Sequence, residues 1–397
     1  MKFPEYVSFV LDRLEDGGFN AYLVGGCVRD FLMGINPHDF DITTNATPDE
    51  IEKCFTDIKT LDIGKKHGTI TIVFDDELVE VTTYRVDGEY KDSRHPESVT
   101  FTDRIEDDLS RRDFTMNAIA YSPKHGFVDP FSGKSDIENK IIRCVGEPHA
   151  RFEEDALRIM RALRFSSRLG FEIEDKTSKA IIDKKELLLN IAMERINSEF
   201  CGILQGKNAG FVIGGFVQVF WTILPELGSV DYDDIDFAKE YGLVTKLCLF
   251  FSHFTDKTEL TEIMKRMKFD NKTVKSVTDI VPLLYTDCYD FMDNGIKHIV
   301  SKIGAENAKI LYQAEYCHYK DRKWKYALER LEDFILNNEC MTVKQLDVKG
   351  NEISAIGVAS SDVGNILNKL LYDVIENNIN NKKHDLLNRA KQYTDRY

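Results

Sequence analysis

No two of the eight cysteines form a CxxC pair; they are scattered at positions 27, 54, 144, 201, 248, 288, 317 and 340. That spacing argues against a structural zinc site and fits a reducing compartment. Positive charge is also short. The formal net charge of -15 excludes a generally basic nucleic-acid coat, though not a local basic groove. Low-complexity linkers and internal repeats are absent. No secretory leader is expected, because Val7, Val10, Leu11 and Leu14 space as an amphipathic helix with acids at Glu5 and Asp12. Long apolar runs are nearly missing too. The uncharged stretch 208–225 reaches the length of a membrane span. It also holds Gly210, Gly214, Gly215, Gln218 and Thr222 and ends at Pro225, so a buried helix is expected there and no membrane partner.

What remains is a globular composition, 43% hydrophobic and 30% charged over 397 residues, long enough for two to four domains. Residues 1–145 alternate helix and strand patterns. Strands are expected at Tyr22–Val24, Phe40–Ile42, Gly68–Phe74 and Leu78–Tyr84. After Pro148, helical periodicity dominates to the end, with breaks near Gly206, Pro225, Gly242, Pro282 and Gly350. The expected fold is therefore a mixed α/β head followed by all-α segments.

The most informative segment runs from Ala21 through Val24-Gly25-Gly26-Cys27-Val28-Arg29-Asp30 to Asp39-Phe40-Asp41. Residues i and i+2 of a strand share a face, so Asp39 and Asp41 project together. Two like charges that close repel unless a cation lies between them. Hard carboxylate oxygens suit Mg2+, which is usually held jointly with substrate phosphates. The Gly25-Gly26 turn lets the backbone approach a phosphate closely. The pattern reads as a metal-dependent nucleotidyl-transfer site. Cys27 is expected to pack rather than react.

Two further clusters carry chemistry. Arg111-Arg112-Asp113-Phe114-Thr115-Met116-Asn117 joins phosphate-suited arginines to Asp113 and Asn117, which share one face if the stretch is helical and there suit a ribose hydroxyl. The competing reading is a helix start capped by Asp113. In Glu154-Asp155-Ala156-Leu157-Arg158, Asp155 and Arg158 are expected as neighbours at i and i+3. Arg158, Arg161, Arg164 and Arg168 make a ladder with no acid between 156 and 171, which points toward an anion. A carboxylate only accepts hydrogen bonds and a guanidinium only donates them. Cytosine and adenine each present an exocyclic amine beside a ring-nitrogen acceptor, so one Asp and one Arg satisfy either base and mispair with guanine or uracil.

With these residues the chain resembles the bacterial class II tRNA nucleotidyltransferases of the poly(A) polymerase family. Leu23-Val24-Gly25-Gly26-x-Val28-Arg29-Asp30 with Asp39-x-Asp41 resembles the family's catalytic motif, Arg111 to Ala118 its ribose motif, and Glu154-Asp155-x-x-Arg158 its template for the incoming base. Gly64-Lys65-Lys66-His67-Gly68-Thr69 and Tyr90-x-Asp92-x-Arg94-His95-Pro96 are similar to its head, and Leu346-x-Val348-x-Gly350-Asn351-Glu352 to its tail. The likeness is strong before residue 170 and weaker after it. Ala359-Ser360-Ser361-Asp362 stands where the family often has Pro-Gly.

The resemblance implies a nucleotidyltransferase head over 1–145, a neck over 146–205, a helical body over 206–335 and a helical tail over 336–397. It implies a cytoplasmic enzyme that adds C, C and A to the tRNA 3′ end from CTP and ATP with two Mg2+ ions and no obligatory protein partner. By the same resemblance Asp39 and Asp41 hold the metals, with Glu80, in Val79-Glu80-Val81, a candidate third carboxylate on an adjacent strand. Gly26 and Arg29 meet the triphosphate. Arg112, Asp155, Arg158, Arg161 and Arg164 contact the nucleotide. Two basic groups suit RNA phosphates: Lys320, Arg322, Lys323, Lys325 and Arg330 around Trp324, and Lys382, Lys383, Arg389, Lys391 and Arg396. An enzyme adding only A, or only CC, a bacterial poly(A) polymerase, and an RNA-binding protein with an inactive head remain alternatives. The segment Asp87–Thr102 weighs against CC-only addition, since CC-only relatives have it shortened. A phosphohydrolase reading of His384-Asp385 lacks further ligands.

Overall fold

The computed structural model describes residues 3–37, 39–74, 77–88, 99–286 and 291–394. The Tyr90 to Pro96 motif, Cys288 and Arg396 lie outside them. Two compact units divide the chain, residues 1–226 and 227–397.

The first unit begins with α1 (Glu5–Asp16), whose Val7, Val10, Leu11 and Leu14 are buried as the spacing requires. β1 (Ala21–Val24) follows, then α2 (Gly26–Leu32) and β2 (Asp41–Thr44). α3 (Pro48–Cys54) starts at Thr47, which forms a capping box with Glu50. β3 (Thr60–Leu61), β4 (Thr69–Phe74) and β5 (Glu77–Thr83) come next. β6 (Arg85–Asp87) pairs with β7 (Val99–Phe101) as a separate ribbon. α4 (Ile105–Ser110), β8 (Ala120–Ser122), β9 (Gly126–Val128) and α5 (Gly133–Glu138) complete the α/β part.

Seven strands form one mixed sheet in the order β3-β4-β5-β2-β1-β8-β9. Only β2 and β5 run parallel; the other neighbours are antiparallel. β1 is buried along its whole length, as a central strand should be. The register pairs Val24 with Asp41 and Asp41 with Glu80. The residue before the Gly-Gly turn therefore lies beside the second aspartate, with Glu80 on its other side.

Helices take over after β10 (Ile141–Ile142), which pairs in parallel with β11 (Glu172–Ile173). α6 (Pro148–Glu154) and α7 (Leu157–Leu169) are separated by Asp155, whose backbone is extended at φ -140° and ψ 100°. The helix expected to carry Asp155 and Arg158 together is thus broken at Asp155. Ala156, Met160 and Leu163, spaced at four and three residues, are all buried on one face. α8 (Asp175–Lys184), α9 (Met193–Leu204), α10 (Ala209–Gly215) and α11 (Val217–Ile223) follow. The uncharged stretch becomes the two short helices α10 and α11. Among the described residues, no helix is long and apolar enough to cross a membrane.

The second unit is helical: α12 (Tyr232–Phe237), α13 (Leu243–Phe250), α14 (Lys257–Arg266), α15 (Asn271–Ile280), α16 (Asp293–Ile303), α17 (Ala305–Tyr319), α18 (Arg322–Leu336), α19 (Gly350–Ala355), α20 (Val363–Ile375) and α21 (Lys383–Thr394). Aspartate caps at Asp256, Asp270 and Asp321 start α14, α15 and α18. Leu346, Val348, Ile353, Leu370 and Leu386 form an apolar core of the final helices. A mixed sheet with helices, followed by a mostly helical remainder, is the fold class the sequence patterns imply.

Candidate active site

The Gly25-Gly26 turn ends β1, and Gly25 adopts φ 78° and ψ -131°, a region essentially reserved for glycine. A side chain there would also crowd its surroundings. A Cβ on Gly25 would lie 3.1 Å from Arg112 Nη1 and 3.9 Å from Asp41 Oδ2. Gly25→Ala should therefore cost on the order of 1–3 kcal/mol of strain and displace Arg112. A lower melting temperature with reduced turnover at saturating CTP is the expected result. An unchanged rate would mean the turn tolerates a side chain.

Asp39 and Asp41 are exposed, while Phe40 between them is buried. Asp39 precedes the hydrogen-bonded strand, yet the alternation still sends both carboxylates to one face. Asp41 keeps a solvent-facing edge, but surrounding protein crowds it. Desolvation raises its pKa, Arg112 pulls it down and Asp39 pushes it further up. Glu80 is exposed on β5 directly beside Asp41, and cross-strand partners share a face.

Behind this face runs a chain of charged contacts between α2 and α7. Arg29 Nε and Nη2 donate to Asp30 Oδ1 at 2.9 and 2.7 Å. Arg29 Nη1 donates to Asn117 Oδ1 at 2.8 Å, and Asn117 Nδ2 donates to Asp113 Oδ1 at 3.0 Å. Arg161 Nε and Nη2 close the chain on Asp113 Oδ2 at 2.9 and 2.6 Å. Asp113 and Asn117 meet as expected, but through a 3-10 turn at Thr115–Asn117 rather than an α-helix. Burial pushes the Asp113 carboxyl up; Arg161, Asn117 and the Phe114 amide outweigh it and hold the group below the usual range. The guanidinium carbons of Arg29, Arg161 and Arg164 stand 5.2, 5.5 and 4.6 Å from the centre of the Phe165 ring.

Glu154, Asp155 and Arg158 are arranged differently from the i,i+3 expectation. Asp155 Oδ1 accepts from the Leu157 amide at 3.1 Å, which caps α7, and Asp155 Oδ2 lies 3.6 Å from Arg195 Nη2. Arg158 turns away from it. Its Nη1 donates to Glu154 Oε2 at 2.7 Å and to the Arg151 carbonyl at 3.2 Å, and its Nη2 donates to the Arg111 carbonyl at 2.9 Å. Arg164 Nε donates to Glu199 Oε2 at 2.5 Å. The acid-free stretch of sequence is therefore not an acid-free surface: Arg158 pairs with Glu154 four residues before it, while Arg161 and Arg164 meet Asp113 and Glu199, carboxylates brought in by folding. Arg168 is exposed.

Comparison with known proteins places this arrangement. Residues 21–143 match the family model described as Poly A polymerase head domain, and residues 170–213 match the one described as Probable RNA and SrmB- binding site of polymerase A. A CCA-adding enzyme of Staphylococcus aureus (strain bovine RF122 / ET3-1) is 38% identical over 304 residues, 73% of this chain and 74% of that protein. The chain belongs to the CCA-adding enzyme family. The strain Mu3 enzyme is 40% identical over 276 residues, 69% of this chain and 68% of that one. The structure of the Bacillus stearothermophilus CCA-adding enzyme in complex with CTP matches with TM-score 0.80 at 29% identity, covering 100% of this chain and 98% of that chain. A Thermotoga maritima CCA-adding enzyme complexed with tRNA shares the fold, with TM-score 0.66 at 19% identity over 99% of this chain and 96% of that chain.

Enzymes of this family are nucleotidyltransferases that generally use divalent metals, and the head carboxylates suit one. Two exposed acids repel across one face, and Asp39 contributes to the raised pKa of Asp41. Asp39, Asp41 and Glu80 do not converge as tightly as a three-ligand cage. Among the described residues that closeness occurs at Asp231, Asp234 and His318 in the second unit. There His318 Nδ1 and Asp234 Oδ2 are hydrogen-bonded at 2.6 Å and Asp231 caps α12. Those side chains are already satisfied as structural groups.

Asp108, Phe165, Arg195 and Glu199 are site neighbours that sequence reading missed. Only Asp108 carried a signal, its placement three and four residues before Arg111 and Arg112 on a helical pattern. Cys27 behaves as expected: its thiol donates to the Val24 carbonyl at 3.4 Å, and desolvation leads the causes that push it up to about 11. Such a thiol is inert at neutral pH.

Proposed function

We propose that this chain adds C, C and A stepwise to the tRNA 3′ end from CTP and ATP, selecting the base with side chains and not with a nucleic-acid template. The register that puts the Gly25-Gly26 turn, Asp41 and Glu80 on three adjacent strands carries the reading, together with family membership. In this reaction the tRNA 3′-oxygen bonds to the α-phosphorus of the nucleotide, and the bond to the departing pyrophosphate breaks. Asp39 and Asp41, with Glu80 as third candidate, would hold two Mg2+ ions. When bound, such ions acidify the attacking hydroxyl and neutralise charge on the phosphates.

The chain's own residues supply orientation. The Gly25-Gly26 turn leaves room for phosphate, and Arg29 and Arg112 offer donors beside it. Asp113 and Asn117 hold each other and take the ribose. Asp155 accepts from the exocyclic amine of C or A and Arg158 donates to the ring nitrogen. Because Arg158 is engaged with Glu154, base recognition requires it to exchange partners. The segments 1–145, 146–205, 206–335 and 336–397 serve as head, neck, body and tail, and the enzyme works in the cytoplasm. Incubation with tRNAs ending before CCA, after C and after CC, each with single NTPs, tests this. Sized products must show C, C and A in order. A alone, CC alone or long A tails would each replace the reading.

The basic groups bear on how an acidic protein holds RNA. Trp324 is buried, so it cannot stack on a base, while Lys323 extends over the Trp324, Tyr319 and Phe291 rings within 5.5 Å. Arg330 is bound to Asp293 at 2.6 Å and Arg389 to Asp373 at 2.7 Å. Lys383 is paired with Glu352. Arg322, Lys325, Lys382 and Lys391 are exposed. Lys323→Ala with Lys325→Ala should raise the tRNA dissociation constant and reduce its salt slope by about two, roughly one for each phosphate no longer neutralised. Rates at saturating tRNA should change little. An unchanged slope would place the RNA elsewhere.

A further inference from the structure

Asp108 is fully buried at the end of α4, yet it touches no substrate-facing surface. Its two oxygens are divided between adjacent arginines. Arg111 Nε and Nη2 donate to Oδ1 at 2.9 and 2.8 Å, while Arg112 Nη2 reaches Oδ2 at 3.3 Å. Burial pushes the Asp108 carboxyl up, but Arg112 and Arg111 outweigh this and keep it ionised.

Arg112 is the unusual member. It lies between two acids, Asp108 behind it and Asp41 before it, and acts electrostatically on both. Its Nη1 stands over Gly25, and its buried Nε has no hydrogen-bond partner among the described residues. A buried donor left unpaired is costly, and a guanidinium next to a carboxylate closes on it unless something holds it back. Arg112 is thus tethered through Nη2, and Nη1 is the nitrogen it presents to the glycine turn, where an anion would lie.

We infer that Asp108 is a positioning residue that holds the Arg112 guanidinium toward the Gly25-Gly26 turn, where it meets the nucleotide triphosphate, and off the Asp41 carboxylate. This rests on the proposed nucleotidyl transfer. In Asp108→Asn the charge that holds Arg112 back is gone. Arg112 then pairs with Asp41, loses its grip on the triphosphate and competes with cations for that carboxylate.

The test is a double-mutant cycle read by CTP binding in equilibrium dialysis without tRNA, and by the KM for CTP. Asp108→Asn is expected to weaken CTP binding at least tenfold and to raise the Mg2+ concentration needed for half-maximal activity, with tRNA affinity unchanged. Arg112→Gln should weaken CTP binding by a similar factor. The double variant Asp108→Asn/Arg112→Gln should bind CTP no worse than Arg112→Gln alone, because the effect of Asp108 on CTP passes through Arg112 and its bonds to Arg111 do not reach the nucleotide. Asp108→Glu should restore part of the affinity. Multiplicative losses in the double variant, or CTP affinity unchanged in Asp108→Asn, would overturn the inference. If Asp108→Asn is too unstable to assay, CTP affinity in Asp108→Glu above that of Arg112→Gln, with normal melting, supports it, and a loss equal to or greater than that of Arg112→Gln overturns it. Failure of the wild-type protein to extend tRNA would instead remove the nucleotidyl-transfer reading itself.

Discussion

Asp41→Ala should abolish incorporation of both C and A, by on the order of a thousandfold or more, while tRNA binding persists. If Asp41 holds a metal as proposed, its loss removes several kcal/mol of transition-state charge stabilisation, and each ~1.4 kcal/mol is tenfold in rate. Asp41 is the sharper choice because it lies between Val24 and Glu80 in the sheet, whereas Asp39 sits outside the paired strand. Asp39→Ala should follow it in direction. Folding should not suffer. Asp41 is an exposed acid whose pKa is raised, so its charge is held at a cost, and Asp41→Asn should melt no lower than wild type without metal. The measurements are single-nucleotide extension across a Mg2+ titration and tRNA binding by gel shift. Turnover equal to wild type at saturating Mg2+ would remove Asp41 from the site.

Asp155→Ala should lose selectivity for C and A over U and G, along with much of its rate, and keep its Mg2+ dependence. A site built to hydrogen-bond a base rejects the wrong one because buried polar groups are left unpaired, at about 1–3 kcal/mol per group. The geometry adds a complication and its remedy. Asp155 also caps α7 through the Leu157 amide and faces Arg195, so alanine costs roughly 1 kcal/mol of helix stability as well. Asp155→Asn keeps a capping oxygen, at little cost to the helix, but adds an amide donor where the base presents its own. It should therefore fold like the wild type and still misincorporate. The readout is incorporation of each of the four NTPs onto a tRNA lacking CCA. If Asp155→Ala keeps the wild-type ratio of C to U, base choice does not pass through this carboxylate.

The local pieces of this protein were legible in its residues because they depend on short-range chemistry. The amphipathic stripe Val7-Val10-Leu11-Leu14, the β-branched run at 69–73, the Gly25-Gly26 turn and the alternation Asp39-Phe40-Asp41 each follow from period, propensity or backbone freedom within a few residues. The change from a mixed sheet to helices after Pro148 was legible for the same reason. What only the tertiary structure decided is which charges meet. No spacing in the sequence links Asp41 to Glu80; a parallel strand pairing does. The arginines at 161 and 164 read as part of an unpaired ladder, yet Asp113 and Glu199 reach them from 48 and 35 residues away. The extended backbone at Asp155 likewise moved it off the helix face it was expected to share with Arg158. Ionic partners separated by tens of residues are chosen by packing and register, because the cost of burying an unpaired charge arises only once the chain has folded.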